Sequence, residues 1–215
     1  MLTSKGISDK LYDAVVSGNI QEACEIAEKI IQEGFSANVA LEKMREAMKN
    51  VDEKYEQKEY FIVDVASSAT AMREAFNILE PYLKVESAGI GGKIVLGSLR
   101  GNIQGLGKDI VAATLRAAGL QVVDVGVDIS PEVFVDTAIR EKAQIIGISI
   151  SVEETIPFLE DLVEILQQRK LIGTIKTVIG GQAVSKQTCH EYGIDAYAKD
   201  AWDCVKKVKQ LLANA

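Results

Sequence analysis

The chain is poor in the residues that most often carry chemistry or cross-links. Its 215 residues include one histidine, three prolines, one tryptophan and three cysteines. The cysteines, Cys24, Cys189 and Cys204, are odd in number and far apart, and their spacing fits neither a zinc site nor a disulfide framework. We therefore expect reduced thiols in a cytoplasmic protein.

Positive charge and long apolar runs are also lacking. The 24 basic and 31 acidic residues give a net charge of −7. Nucleic acids and anionic membranes require a basic surface, so we expect neither as a partner. No apolar run reaches the ~18 residues of a membrane span, and the N-terminal stretch MLTSKGISDKLYDAVV has no signal-peptide core. Hydrophobic residues nevertheless make up 47% of the chain, which is ample for a globular core.

Residues 1–86 carry the period of amphipathic helices. Two short helices are predicted first, ending at Gly18 and Gly34, because glycine commonly follows the last helical residue. Two longer helices follow, with apolar stripes formed by Leu41, Met44, Met48, Val51 and Tyr55 and by Ile62, Val65, Ala69, Met72, Phe76, Leu79 and Leu83. The pattern predicts an antiparallel four-helix bundle with its methionines in the core.

The stretch KVESAGIGGK, with three glycines, is typical of a linker, so we divide the chain into domains 1–86 and 87–215. Beyond it, the short apolar runs KIVLGS, QVVDVG, QIIGISI and TVIGG, with a weaker DAYAK, alternate with helical stretches. These helices are predicted at Lys108–Ala118, Pro131–Lys142, Glu153–Lys170, Ser185–Tyr192 and Ala201–Ala213. The alternation predicts a five-stranded parallel sheet flanked by helices, in the flavodoxin-like variant of the Rossmann-type doubly wound fold.

Three unusual loops follow strands of this sheet: RGNIQGLG, SISVEET and GGQAVS. Ligands of doubly wound folds bind at the carboxyl ends of the strands, which favours a site there. The first loop is not a P-loop, because five residues separate Gly101 from Gly107 and an aspartate replaces the hydroxyl residue after Lys108. Its glycines also miss the spacing of a dinucleotide site, so we do not expect a nucleotide.

Together, the bundle, the linker, GNIQGLGKDIV, SIS and VIGG resemble the corrinoid proteins of bacterial and archaeal methyltransferase systems. They are similar also to the cobalamin-binding module of methionine synthase. The likeness includes YEQKEYFIVDVASSATAMREAF and GIDAYAKDAWDCV, and so covers nearly the whole chain. In this family an Asp-x-His-x-x-Gly turn supplies a histidine that coordinates cobalt from below. A Ser-x-Leu stretch and a Gly-Gly pair line a slot for the displaced dimethylbenzimidazole tail.

At the matching positions Asn102 replaces the aspartate, Gln104 replaces the histidine, and Gly107 matches the glycine. A glutamine carbonyl oxygen is a much weaker donor than imidazole, and Asn102 carries no charge to strengthen it. The resemblance therefore implies that the lower axial ligand of the cobalt is weak or absent. Gln104 then binds cobalt weakly, or hydrogen-bonds a water on the cobalt, or leaves the lower face open. Loss of axial donation favours reduction to cobalt(I). Alternatively, both amides are simple turn residues of a domain that has lost its cofactor.

The slot positions keep Ser149 and the pair Gly180–Gly181, while Ser151 replaces the leucine. Acidic residues suit a helix start, so Glu153 and Glu154 are predicted there, with Glu153 reaching toward the cofactor. His190 lies past the loops and is predicted to be a surface residue. The candidate cofactor-binding residues are Gly101, Asn102, Ile103, Gln104, Gly105, Gly107, Ser149, Ser151, Glu153, Gly180, Gly181, Phe61 and Val65.

The resemblance also implies a function. In relatives the bundle caps the methyl-bearing face of the corrin, and Phe61 and Val65 match the capping stretch. The protein is expected to bind cobalamin base-off and to carry a methyl group between two methyltransferases. One demethylates a small substrate, and the other has tetrahydrofolate or a thiol as acceptor; a reductive activase is a further partner. No catalytic residue is expected in the carrier itself. The alternative is a non-catalytic cobalamin-binding storage or regulatory module.

Overall fold

A computed structural model of the chain describes residues 4–83 and 91–213, with side chains from residue 6 onward. The chain divides into two units, Met1–Lys84 and Val85–Ala215. The predicted domain boundary at residue 86 and most of the predicted linker lie at residues 84–90, outside the described residues, and both stay predictions. Among the described helices, none has the length and apolar character that crossing a membrane requires.

The first unit consists of four helices followed by a short 3-10 turn. The helices are α1 (Ser4–Val16), α2 (Ile20–Gln32), α3 (Ala37–Glu56) and α4 (Ile62–Leu79). Asn19 and Ser36 cap α2 and α3 by accepting backbone N–H groups of the first turn. The buried side chains include Leu11, Ile30, Leu41, Met44, Met72 and Phe76. These residues lie on one apolar stripe per helix, as the period predicts.

The stripe on α4 is shorter than predicted. Ile62 is 69% exposed and Val65 is only partly buried. The buried side of α4 begins at Ser68, so its first turn extends past the packed part of the bundle. Periodicity alone was wrong here, because an apolar period does not show where the neighbouring helices end.

The second unit is built on a five-stranded parallel sheet. Its strands are β1 (Lys93–Leu99), β2 (Gln121–Ile129), β3 (Ile145–Ser149), β4 (Lys176–Gly180) and β5 (Ala196–Ala198). Their spatial order is β2-β1-β3-β4-β5, which confirms the flavodoxin-like prediction. The chain runs from β1 to β2 on one side and then returns to β3 on the other. The strand order therefore reverses between β1 and β3.

Helices cover both faces of the sheet. They are α5 (Leu106–Ala117), α6 (Pro131–Glu141), α7 (Phe158–Gln168), α8 (Lys186–Glu191) and α9 (Ala201–Ala213). One apolar core joins the sheet to α5 and α9, and another joins it to α6, α7 and α8. The prediction that Glu153 begins a helix was wrong in detail: Glu153–Thr155 is a 3-10 turn, and α7 begins at Phe158. Pro157 has no N–H to extend a regular α-helical turn through this segment.

Candidate functional site

The loop after β1 lies where the strand order reverses, at the carboxyl ends of β1 and β3. It begins with a turn in which the Asn102 N–H donates to the Leu99 carbonyl over 2.9 Å. Ser98 and Ser149, near the ends of the two strands, are register partners. This is the position at which doubly wound sheets bind ligands. The loop carries five of the predicted site residues, and Gly107 follows in the first turn of α5.

Asn102 fixes this loop to the neighbouring strand. Its side chain is fully buried, and its Nδ2 donates to the Ser149 carbonyl over 3.1 Å. Its Oδ1 accepts the Gln104 backbone N–H over 3.2 Å. One end of the side chain must donate and the other must accept, which an amide does and an ionised carboxylate does not. Asn102 is therefore more than a turn residue, since it bridges the loop and β3.

Gln104 projects from a backbone that is held on both sides. Its N–H binds Asn102, and its carbonyl accepts the hydroxyl of the buried Ser98 over 3.2 Å. The Gln104 side chain is exposed, as is that of Ile103, which is 77% exposed. The loop thus combines a rigid backbone with two side chains that are free to meet a ligand.

The three glycines of the loop differ in what surrounds them. Gly101 has a positive φ of 83°, and a Cβ on it would lie 2.9 Å from Thr155 Cγ2. A Cβ on Gly105 would lie 3.2 Å from Val127 Cγ1. A Cβ on Gly107, in the first turn of α5, would meet no atom within 4 Å. Packing within the protein therefore gives a reason for glycine at positions 101 and 105 but none at Gly107, whose role in a site stays a prediction.

Packing within the protein explains the glycine pair at the end of β4. A Cβ on Gly180 would lie 2.8 Å from the Ala198 carbonyl oxygen. Gly181 has a positive φ of 121°, and its Cβ would lie 2.1 Å from the Ile150 carbonyl oxygen. Backbone packing therefore requires both glycines whether or not a ligand is bound. Their match to the family's slot is therefore not by itself an indication of a ligand.

The remaining predicted residues lie in three places. Ser149 ends β3, and Ser151 follows it; both are partly exposed. Glu153 is exposed on the 3-10 turn before α7. Phe61 and Val65 belong to the helical unit, where Phe61 is 71% exposed and precedes α4. Contacts of these residues with a cofactor stay predictions.

The side chains that could replace a lower histidine ligand are poorly suited to the task. His190 is exposed near the end of α8, as predicted for a surface residue. Burial raises the pKa of the Cys189 thiol, and it raises the pKa of the Cys204 thiol to about 12. Both thiols are therefore protonated at neutral pH. Within residues 4–83 and 91–213, no group of three His, Cys, Asp or Glu side chains could hold a metal ion.

Two residues of β2 contact the loop after β1 and the start of α5, and neither was predicted from the sequence. Asp128 accepts the Gly101 N–H over 2.7 Å. Asp124 contacts Lys108, which is only 4% exposed and follows Gly107. The available signal was the pattern of VDVGVDIS, in which two aspartates four residues apart flank a glycine at the end of a strand.

The amide of Asn102 gives a prediction for the variant Asn102→Asp. The introduced carboxylate would face the Ser149 carbonyl oxygen, whereas the neutral acid could still donate to it. The pKa of this introduced carboxyl group in the folded state should therefore lie above its unfolded value of ~3.9. The folded state then binds the proton more tightly, so the variant is most stable below the unfolded pKa and loses stability as pH rises through the folded pKa.

At neutral pH, the free energy of unfolding of Asn102→Asp should be about 1–3 kcal/mol lower than that of the wild type. This deficit should shrink at about pH 5. Urea unfolding followed by the fluorescence of Trp202, the only tryptophan and part of α9, measures it in the sheet unit. Asn102→Ala is the control, since its deficit should not change with pH. Equal deficits of the aspartate variant at both pH values would show that the bond to Ser149 is unimportant.

Comparison with known proteins shows which family shares this arrangement. Two family models, each described as a B12 binding domain, match residues 92–203 and residues 7–80. The trimethylamine corrinoid protein 1 of Methanosarcina acetivorans is 32% identical over 99% of this chain and 100% of its own length. A corrinoid protein of Desulfitobacterium hafniense is also 32% identical, over 96% of this chain and 97% of its own.

A solved structure extends this similarity to the fold. The monomethylamine corrinoid protein of Methanosarcina barkeri superposes with a TM-score of 0.90 at 30% identity, covering 97% of this chain and 100% of that one. One B12 model spans more than half of the chain, and curated relatives match it from end to end. The chain therefore belongs to the B12-binding corrinoid proteins, and its cofactor is cobalamin.

Proposed function

We propose that the protein carries methyl groups on a cobalamin bound at the loop after β1, with Gln104 on the lower side of the cobalt as a weak or absent axial ligand. One observation carries this proposal: Gln104 is exposed on a fixed backbone at the reversal point of the sheet, beside the open space at Gly107. Asn102, Ile103, Gly105 and Ser149 would line the same site.

The residues present fit a corrinoid. The corrin ring supplies four nitrogen ligands of its own, so the protein needs to provide at most one axial ligand. The described residues offer such a position at Gln104, whose side chain is exposed on a backbone held by Ser98 and Asn102. When bound, the cobalt supplies the chemistry of accepting a methyl group from one substrate and releasing it to another. The chain's own residues bind and orient the ring.

The weak lower ligand follows from what Asn102 already does. In the resembling family an aspartate orients the histidine and raises its basicity. Here both polar atoms of Asn102 are engaged, with the Ser149 carbonyl and with the Gln104 backbone. Both contacts are to backbone groups, and the neutral amide has no charge with which to raise the basicity of the Gln104 side chain. An unsupported amide oxygen donates weakly to cobalt, which favours lower coordination and makes cobalt(I) easier to reach.

The tail of the cofactor would be displaced, in the base-off form, beside Ser149 and Ser151. Both residues are partly exposed at the carboxyl end of β3. Neither is buried in the protein core, so both are available to a ligand that enters between the loops after β1, β3 and β4. The tight packing at Gly180 and Gly181 would form one wall of this slot.

The class of methyl donor is suggested by the relatives. Several relatives with whole-chain similarity are named trimethylamine, dimethylamine or monomethylamine corrinoid proteins. We propose an N-methylated amine as the donor, delivered by a demethylating methyltransferase. A second methyltransferase would pass the group to tetrahydrofolate or a thiol, and a reductive activase would restore oxidised cobalt. In the helical unit, Phe61, Ile62 and Val63 are each at least 65% exposed and are available to a ligand.

Labelled methylamines test the carrier function. The cobalamin-loaded, reduced protein is mixed with each methyltransferase encoded beside it and with trimethylamine, dimethylamine or monomethylamine carrying an isotopic methyl label. We expect label on the protein with one enzyme–amine pair, and its loss when a thiol or tetrahydrofolate is added with the second enzyme. Tight cobalamin binding without label from any pair would favour the storage or regulatory alternative.

Restoring the family's ligand pair tests the role of Gln104. In the double variant Gln104→His, Asn102→Asp, the Ser149 carbonyl repels the introduced carboxylate, whereas the introduced imidazole N–H offers it a donor. An imidazole nitrogen supported in this way would stabilise cobalt(II) relative to cobalt(I). A tenfold preference corresponds to about 60 mV for one electron, and we expect the cobalt(II)/cobalt(I) potential to fall by at least that order. Gln104→His alone should shift it less. Identical potentiometric titrations for the wild type and all variants would mean that residue 104 does not govern the lower face.

A further inference from the structure

We infer that Asp128, at the end of the edge strand β2, is a positioning residue for the cofactor loop after β1. The inference rests on the proposed placement of the cofactor on that loop. The Asp128 carboxylate accepts the Gly101 N–H over 2.7 Å. The Asp128 backbone N–H donates to the Asn102 carbonyl over 3.1 Å. Asp128 therefore binds two consecutive loop residues, one with its side chain and one with its backbone.

The backbone of β2 is distorted in a way that brings Asp128 to the loop. The register between β1 and β2 shifts twice, between Leu96 and Gly97 and between Gly97 and Leu99. Gly126 has a φ of 94° and Asp128 a φ of 58°. A left-handed conformation is uncommon for a residue with a side chain, although aspartate tolerates it better than most. Such irregularities in a strand re-aim side chains and are frequent beside functional sites.

A second aspartate of β2 holds the other end of the loop. Asp124 contacts the Nζ of the buried Lys108, and its other oxygen accepts the Gly126 N–H over 2.8 Å. Asp109 also pairs with Lys108, over 2.7 Å. The loop is therefore held from β2 at Gly101 by Asp128 and at Lys108 by Asp124. Gln104 lies between these two points.

The middle of the loop also rests against β2. Any side chain at Gly105 would displace Val127 of β2. Val127 lies between Gly126 and Asp128 and is 37% exposed. On the opposite side, Asn102 binds β3. The position from which Gln104 meets the cofactor is thus set by two strands, and the β2 contribution depends on Asp128 and Asp124. Asp128 is the better subject for a test, because its substitution leaves the buried Lys108 paired.

Three variants separate positioning from a merely structural role. Asp128→Ala removes the acceptor, Asp128→Asn keeps an oxygen that can accept, and Asp128→Gly removes the acceptor while relieving the left-handed strain. Asp136→Ala is the matched control, since Asp136 is an exposed aspartate of α6 that pairs with Arg169. Each protein is examined without cofactor for amide hydrogen exchange at Gly101 and Gln104, and then titrated with cobalamin.

We expect Asp128→Ala and Asp128→Gly to exchange faster at Gly101 and to bind cobalamin about tenfold more weakly, as for loss of a hydrogen bond to a charged group. Asp128→Asn should retain most of the affinity, and Asp136→Ala all of it. Unchanged exchange at Gly101, or unchanged cobalamin affinity in Asp128→Ala, would overturn the inference. Wild-type cobalamin affinity in Asp128→Gly would also overturn it. The weaker binding of Asp128→Ala would then come from left-handed backbone strain and not from loss of the carboxylate.

A separate variant distinguishes failure of this inference from failure of the proposed site. Gly107→Leu places a side chain in space that no protein atom occupies within 4 Å of a Cβ, so the cofactor-free protein should fold. If the cofactor binds on this loop, Gly107→Leu should lose cobalamin affinity whatever Asp128 does. Full affinity in Gly107→Leu would contradict the proposed site itself, whereas lost affinity there with no effect of Asp128→Ala would reject only the positioning role.

Discussion

The hydrogen bond from the Asn102 side chain to the Ser149 carbonyl is the contact on which the site depends. It joins the loop after β1 to the end of β3 at the point where strand order reverses, and the Asn102 side chain that makes it is fully buried. The same side chain accepts the Gln104 N–H. Because a buried polar group without a partner is costly, the amide allows one arrangement of this loop. The Gln104 backbone is therefore held while its side chain is exposed.

The fold could be predicted from the sequence because its periods are unambiguous. Alternating apolar runs and helices indicated the parallel sheet, and even the three-residue β5 was visible in DAYAK. The errors came where tertiary neighbours decide. Ile62 continues the stripe of α4 but is exposed, since the buried side of that helix begins only at Ser68, and Pro157 delays α7 past Glu153. No sequence period carries this information.

The site was predicted as a set of positions but not as a set of contacts. The motif identified Asn102 and Gln104 as replacements for a charged pair, yet only the structure shows that Asn102 is engaged elsewhere. Similarly, Gly180 and Gly181 match a ligand slot, but backbone oxygens already require them, while Gly107 has no such requirement. Asp128 acts on residues 26 and 27 positions earlier in the chain. The pattern VDVGVDIS marks an unusual strand end, but it does not show which distant residues Asp128 binds.

We propose that this protein binds cobalamin without a nitrogen ligand on the lower face of the cobalt. Electron paramagnetic resonance of the cobalt(II) form measures this directly, because a coordinated nitrogen splits the cobalt lines into triplets. The account predicts a spectrum without nitrogen splitting, since Gln104 offers at most an amide oxygen and His190 is exposed near the end of α8. A triplet pattern in the wild-type protein would show that a histidine or the dimethylbenzimidazole tail occupies the lower face, and would contradict the account.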